Sequence, residues 1–396
     1  MDYLIKTNGD LWNGLEVKKG PNCIHVKNGL IKNLLNGKKV NPFLQQQAHL
    51  KILDCGKSFV TPGFIDAHTH LLHAGDRIFE REMRSKGASY LEILKAGGGI
   101  KHTVAETRKS TTENLKSLMD KRVREMQSTG TTTFEVKTGY GLSIEEELRH
   151  LKIYKEWAFE RKIRIVPTLL MAHAFPKKKN EESYLQEIIK TAEIAKKENL
   201  ANRFDIFLED GAFSEKQTEF LLSHACSLDY QITLHAGQFS EMNGVGIASW
   251  YGAVSIDHAE HLKKGDVEQL LKSGIAVGIL PVCNVELNTG IQPDARKLID
   301  AGVELFLATD FNAGSSFCTS LLEVGELALR DLKMSNEEVL KSITSTPAKV
   351  LGLEKLGKIE KGSIADIGIW ENGLDEFFSP VNNLRMLFVE GHEVLN

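Results

Sequence analysis

Eight short apolar runs recur through the middle of the chain, and helix-forming stretches separate them. The runs are Phe59–Asp66, Thr131–Val136, Ile163–Leu170, Phe204–Leu208, Gln231–Leu234, Val254–Ile256, Ile275–Leu280 and Val303–Ala308. Runs this short suit strands buried on both faces, and the intervening segments show helical spacing. Leu115, Leu118, Met119, Val123 and Met126 form one such apolar stripe. Ser110-x-x-Glu113, Ser143-x-x-Glu146 and Ser335-x-x-Glu338 read as helix-starting capping boxes. Eight strand–helix units in series predict an α/β fold, a TIM-like (β/α)8 barrel. An open doubly wound sheet would want a glycine-rich phosphate turn after its first strand. Asp66-Ala67-His68-Thr69-His70 stands there instead.

The two ends read differently. Ile24–Val26, Leu30–Leu35 and His49–Leu53 are strand-like, with Asn-Gly hairpin signals at 28–29 and 36–37. Ile364–Trp370, Arg385–Val389 and Glu393–Leu395 are strand-like too, the last after a turn at Glu390-Gly391-His392. The ends are therefore expected to pair into one small β-sandwich domain, residues 1–57 with 351–396, beside a barrel over 58–350.

Composition narrows the function. With 49 basic and 53 acidic residues the net charge is −4, without the basic excess of a nucleic-acid binder. The five cysteines are odd in number, and the closest two lie 32 positions apart. That spacing suits unpaired thiols in a reducing cytoplasm. The start, Met-Asp-Tyr-Leu-Ile-Lys, has neither the basic stretch nor the long apolar core of a signal peptide. No apolar run approaches the ~20 residues of a membrane span. The expected partner is a small molecule, with no nucleic acid and no membrane. The outer helices of such a barrel offer a face on which two copies could form a homodimer.

In a parallel barrel the functional groups collect where strands end. The first run ends in His68-Thr69-His70, the second in Glu135-Val136-Lys137-Thr138-Gly139-Tyr140, the third in His173. The fourth ends in Glu209 and Asp210, the fifth in His235, the sixth in Asp257-His258-x-Glu260-His261, the eighth in Asp310-Phe311-Asn312. His68 and His70 sit two apart on a strand, so they share a face. With His235 and Asp310 they make a four-ligand set of nitrogen and oxygen donors. Such a set suits one Zn2+, and equally an iron ion, Fe2+ or Fe3+. His73 lies outside this set.

Pro62-Gly63-Phe64-Ile65-Asp66-Ala67-His68-Thr69-His70 resembles the opening metal motif of the amidohydrolase superfamily. Further segments resemble its imidazolonepropionase family. They are 87–94 with Ala96-Gly97-Gly98-Gly99-Ile100, 135–142, Ala172-His173-Ala174, 255–258, and Ala308-Thr309-Asp310-Phe311-Asn312-Ala313-Gly314-Ser315-Ser316. The resemblance implies hydrolysis of a cyclic amide, 4-imidazolone-5-propanoate, to N-formimidoyl-L-glutamate. It implies Asp310 as proton carrier, with His258 and Gln238 as its catalytic companions. Arg77, Tyr140 and His173 would bind a substrate with a carboxylate tail, and Gln238, Asn312, Gly314 and Ser315 would line the ring. Members with two metals use a carboxylated lysine at a strand end, which draws attention to Lys137. The four ligands already named imply one metal.

The chain departs from that pattern at three places. Gly237 stands where an acidic residue is usual, Ala313 where proline is common, and the tract 281–287 lacks aromatic residues. The rival reading is a related amidohydrolase on another small ring, either a cyclic amidase or a nucleobase-type deaminase. Deaminases of this kind carry His-x-x-Glu where this chain has His235-x-x-Gln238. An amide cannot exchange a proton as a carboxylic acid does.

Overall fold

A computed structural model describes every residue except 48, 88–91, 94, 95, 177, 178 and 396. The segment 87–94 thus falls largely outside the described residues. Eight strands hydrogen-bond to one another in chain order: Phe64–Asp66, Thr131–Lys137, Arg164–Ala172, Arg203–Leu208, Gln231–Ala236, Ser255–His258, Ala276–Ile279 and Leu305–Leu307. From Arg164–Ala172 to Leu305–Leu307 each neighbouring pair runs parallel. Each strand falls within one of the eight predicted runs or overlaps it closely. The chain beyond the first strand then meets the chain beyond the last. A parallel bridge joins Thr69 to Phe311, with His70 N–H donating to Phe311 O at 2.8 Å and Asp310 N–H to His68 O at 3.1 Å.

Contacts divide the chain into two compact units. The first comprises Met1–Asp66, Arg124–Thr133 and Ser320–Asn396, and it contains two sheets formed by the chain ends. One sheet orders Leu30–Asn36, Asn22–Lys27, Asp2–Thr7 and Lys51–Asp54. The other orders His392–Leu395, Leu384–Val389, Ile367–Trp370, Phe59–Pro62, Leu11–Trp12 and Val17–Lys18. Tyr3, Ile5, Ile24, Val26 and Ile31 of the first share one core with Leu11, Val60, Ile367, Ile369 and Phe388 of the second. These sheets form a small β-sandwich as expected from the ends, but the second also takes in Phe59–Pro62, which the expected bounds of 1–57 and 351–396 leave to the barrel.

Three local expectations are corrected. The run Phe59–Asp66 is two strands, broken at Gly63, whose Cβ would lie 2.5 Å from Thr132. The Asn28-Gly29 hairpin forms, both residues having positive φ (51° and 77°), as a tight primed turn requires. Asn36-Gly37 makes no hairpin. It leads into the helix Val40–Gln46, which buries Val40 with Leu4 and Cys23 against Phe43 and Leu44. Finally, the helix Thr112–Gln127 is capped by Thr111, which accepts from Asn114 N–H at 3.2 Å, and not by a Ser110–Glu113 box. The Ser335–Glu338 box forms in both directions, and Ser143 accepts from Glu146 N–H.

The second unit, Ala67–Val123 with Phe134–Thr319, holds every candidate site residue. Its helix Ile144–Arg161 buries His150, whose two ring nitrogens have no hydrogen-bond partner among the described residues. Burial, then Arg149 and Arg108, push its pKa down to about 3. In the unfolded chain a histidine titrates near 6.5. The unfolded state therefore takes up the proton first, and stability present above pH 6.5 is lost as pH falls toward 3. His150→Leu should remove about 2 kcal/mol of the stability lost between pH 7 and pH 5. Urea unfolding at the two pH values measures this; an unchanged pH dependence would refute it.

Candidate metal centre and active site

The strand ends converge as parallel closure demands. His68 Nε2 and His70 Nε2 lie 3.5 and 3.6 Å from Asp310 Oδ1. The ring of His235 is 4.4 Å from that of His68 and 5.9 Å from that of His70. Ligand atoms of His68, His70 and Asp310 all lie within 4.8 Å of one another, as do those of His68, His235 and His258. His258 therefore stands close enough to be a fifth donor. His73 stays out of these groups and instead meets the backbone oxygen of His70 at 2.9 Å through Nδ1.

The electrostatics suit a cation. Burial, reinforced by neighbouring cations, holds His68 and His70 well below the usual histidine range, so both are neutral donors. Burial raises the Asp310 carboxyl, and the nearby His258 and His235 only partly offset it. A metal ion among these groups would supply the charge that keeps it ionised. Asp310 and His258 also have positive φ, 50° and 83°. Such a conformation strains a non-glycine residue and persists only where the surroundings hold it.

Behind the imidazoles lies a buried charge cluster. Asp257 Oδ2 meets His68 Nδ1 at 2.7 Å, and Asp205 Oδ2 stands 2.8 Å from His235 Nδ1. Carboxylates in this position fix the ring that a metal uses. Lys137 reaches Asp205 at 2.8 Å, Glu135 at 2.9 Å and Asp257 at 3.5 Å. Sequence reasoning noted Lys137 but assigned no role to Asp205. The signal was available: one aspartate inside the otherwise apolar run Phe204–Leu208. Glu209, at that strand's end, is spent on the loop beyond the fifth strand, accepting from Phe239 N–H at 2.9 Å.

Beside the histidines lies a second group. Tyr140 is 5.9 Å from His70 and 5.7 Å from His173, ring to ring, and His173 stacks on His70 at 5.3 Å. Arg77 lies so close to Gly314 that a Cβ there would sit 1.9 Å from its guanidinium. Its Nε is 3.8 Å from Glu80 and has no hydrogen-bond partner among the described residues. Asn312 is satisfied within its own loop. It donates to Asp310 O (2.6 Å) and Ser315 Oγ (2.8 Å) and accepts from the N–H groups of Gly314 and Ser315. Gln238 donates to Cys283 Sγ at 3.4 Å. Sequence reasoning named Glu260 at a strand end and the tract that holds Asn284 but gave neither residue a role: Glu260 faces His258 Nδ1 at 3.7 Å and accepts from Asn284 at 2.7 Å. Burial disfavours charge on His258, but Glu260 outweighs it and raises its pKa.

The model of the amidohydrolase family matches residues 59–394. The chain belongs to the amidohydrolase family. This amidohydrolase is 36% identical to the imidazolonepropionase of Fusobacterium nucleatum over 360 residues, 90% of this chain and 86% of the relative. It is 38% identical to that of Paracoccus denitrificans over 80% of each chain. Among solved structures it resembles a 5-methylcytosine deaminase from Klebsiella pneumoniae, with TM-score 0.76 at 13% identity over 99% of this chain and 98% of the other. That last likeness speaks to the barrel and its small domain alone.

Metal binding by this amidohydrolase should show directly as stability. A divalent ion at a hundredfold excess over its Kd should add about 2.7 kcal/mol to the metal-stripped protein. His235→Ala should erase most of that gain. Melting curves with and without Zn2+ read both, and a stripped protein indifferent to metal would contradict the assignment.

Proposed function

We propose that this chain is an imidazolonepropionase, a hydrolase of carbon–nitrogen bonds in cyclic amides. It opens 4-imidazolone-5-propanoate with water to give N-formimidoyl-L-glutamate. The observation that carries the reading is the pairing of two features in one unit. One is a pair of overlapping groups that share His68, namely His68 with His70 and Asp310, and His68 with His235 and His258. The other is Arg77, a guanidinium held against Gly314 with Nε unspent. The first suits hydrolysis at an amide carbonyl, and the second suits a carboxylate tail through forked donors. The identity to curated imidazolonepropionases over most of the chain supports the same substrate.

Residues His68, His70, His235 and Asp310 would hold one ion, Zn2+ or iron (Fe2+ or Fe3+). When bound, the ion polarises the amide carbonyl and lowers the pKa of water to roughly 7. The Asp310 carboxylate takes a proton from the attacking water and returns it to the leaving ring nitrogen. The C–N bond of the ring breaks as the new C–O bond forms, so one water is consumed and no ammonia is released. His258, held beside Glu260, donates a hydrogen bond to the negative oxygen that develops on the carbonyl. Arg77 binds the propionate, while Tyr140, His173 and Gln238 contact the ring. Gly314 and Ser315, set by Asn312, complete the wall. The five cysteines form no disulfide among the described residues, which fits a reducing compartment, and we assign the enzyme to the cytoplasm.

Incubating the metallated protein with the imidazolone should deplete the ring's ultraviolet absorbance and yield formimidoyl-glutamate. Release of ammonia with the ring intact would instead identify a deaminase. Asp310→Asn should lower kcat at least a hundredfold, within the range for loss of a positioned acid–base group. Arg77→Met should raise KM about tenfold to a hundredfold, the ~1.5–3 kcal/mol of a charge-assisted contact, with a smaller effect on kcat. Gly314→Ala should push KM the same way by displacing Arg77; a KM untouched by both changes would remove Arg77 from the substrate site.

A further inference from the structure

Lys137 is buried, with no exposed side chain, and no step of the proposed reaction uses it. Its geometry is specific. Nζ meets Asp205 Oδ2 at 2.8 Å and Asp257 Oδ2 at 3.5 Å. Those same two oxygens face the imidazoles: Asp205 Oδ2 is 2.8 Å from His235 Nδ1, and Asp257 Oδ2 is 2.7 Å from His68 Nδ1. One ammonium on the second strand thus stands behind two histidines that belong to different strand ends. The third carboxylate, Glu135 at 2.9 Å, is itself anchored by the hydroxyl of Thr168 and by Thr69 N–H at 3.4 Å.

We infer that Lys137 is a positioning residue for the metal centre, acting through Asp205 and Asp257 to orient His235 and His68. The inference rests on reading those two histidines as ligands. An aspartate that is ionised and fixed accepts the Nδ1 proton of its histidine. That selects the tautomer with a lone pair on Nε2 and turns this atom toward the ion. Without the ammonium, three buried carboxylates would face one another. Nothing would then hold the two aspartates where they stand, and the imidazoles they face would lose their orientation. The same contacts exclude a carboxylated lysine. An ammonium has three protons and meets three carboxylates here, whereas a carbamate would add a fourth anion among them.

The test is metal affinity, measured by competition with a chromophoric chelator on the full-length protein. Lys137→Met should weaken Zn2+ binding about tenfold to a hundredfold, the usual cost of losing a residue that orients a ligand. Asp257→Asn should cost less in the Lys137→Met background than in the parent, because both changes cut one relay. A lysine needed only for folding would lower the melting temperature and leave the affinity of the folded protein intact, and that result would overturn the inference. So would a requirement for bicarbonate when the stripped parent is reloaded, since a carbamate needs it and an ammonium does not. If Lys137→Met does not fold, Lys137→Gln carries the test. If neither folds, Asp257→Asn alone must show the loss, and unchanged affinity there also refutes the relay. Substrate plays no part in these measurements, so their failure would leave the imidazolone reading standing.

Discussion

The hydrogen bonds that join Thr69 to Phe311 close the ring of strands, and they also assemble the metal site. Asp310 N–H donates to His68 O and His70 N–H to Phe311 O. Two ligands from the start of the barrel and one from its end therefore lie side by side on neighbouring backbones, 240 positions apart in sequence. The side chains then have little freedom. His68 and His70 point to one face because they are two apart on an extended segment. Asp310, at positive φ, turns its carboxylate toward both. Closure and ligation are one constraint, so a change that loosened the ring would act on the metal site as well.

The polar interior has a cost of its own. Glu135, Asp205, Asp257 and Asp310 are all buried, and burial disfavours charge on each. Attraction offsets that cost only where the geometry is good, as it is around Lys137. At Asp205 the neighbours win: His235 and Lys137 hold its carboxyl below the usual range in spite of burial. At Asp310 they do not, and its carboxyl stays above the usual range. Glu135 also stays above the usual range, since burial outweighs the pull of Lys137. A cation bound beside Asp310 would offset the cost there.

Periodicity decides how much of this the sequence reveals. Eight apolar runs are visible because strands buried on both faces must be continuously apolar. The first run hid a break. Gly63 looks like any glycine in a metal motif, and only the closeness of Thr132 shows why two strands meet there. Asn36-Gly37 misled because the dipeptide signals a turn but does not fix the next element, and the apolar residues after it favoured a helix. The four proposed ligands were legible as strand-end residues, since chemistry there is chemistry at the barrel mouth. Asp205 was not, because it lies within a run whose other members conceal it. Nor could the sequence show that Asn312 spends every donor and acceptor on its own loop.

The three departures from the family pattern gain a physical meaning. Gly237 has φ +72°, and its carbonyl accepts from His261 N–H at 2.9 Å. A glycine suits that conformation, where another residue would be strained. Ala313 accepts from Arg77 N–H at 2.8 Å, and its backbone is among the neighbours that partly offset the raising effect of burial on the Tyr140 hydroxyl. In the tract 281–287, Cys283 receives Gln238 and Asn284 holds Glu260, the partner of His258. Each departure thus bears on a residue beside the proposed ligands and none replaces a ligand. The divergence lies in how the pocket wall is held, and Gln238, Tyr140 and His258 are the side chains through which it would reach the substrate.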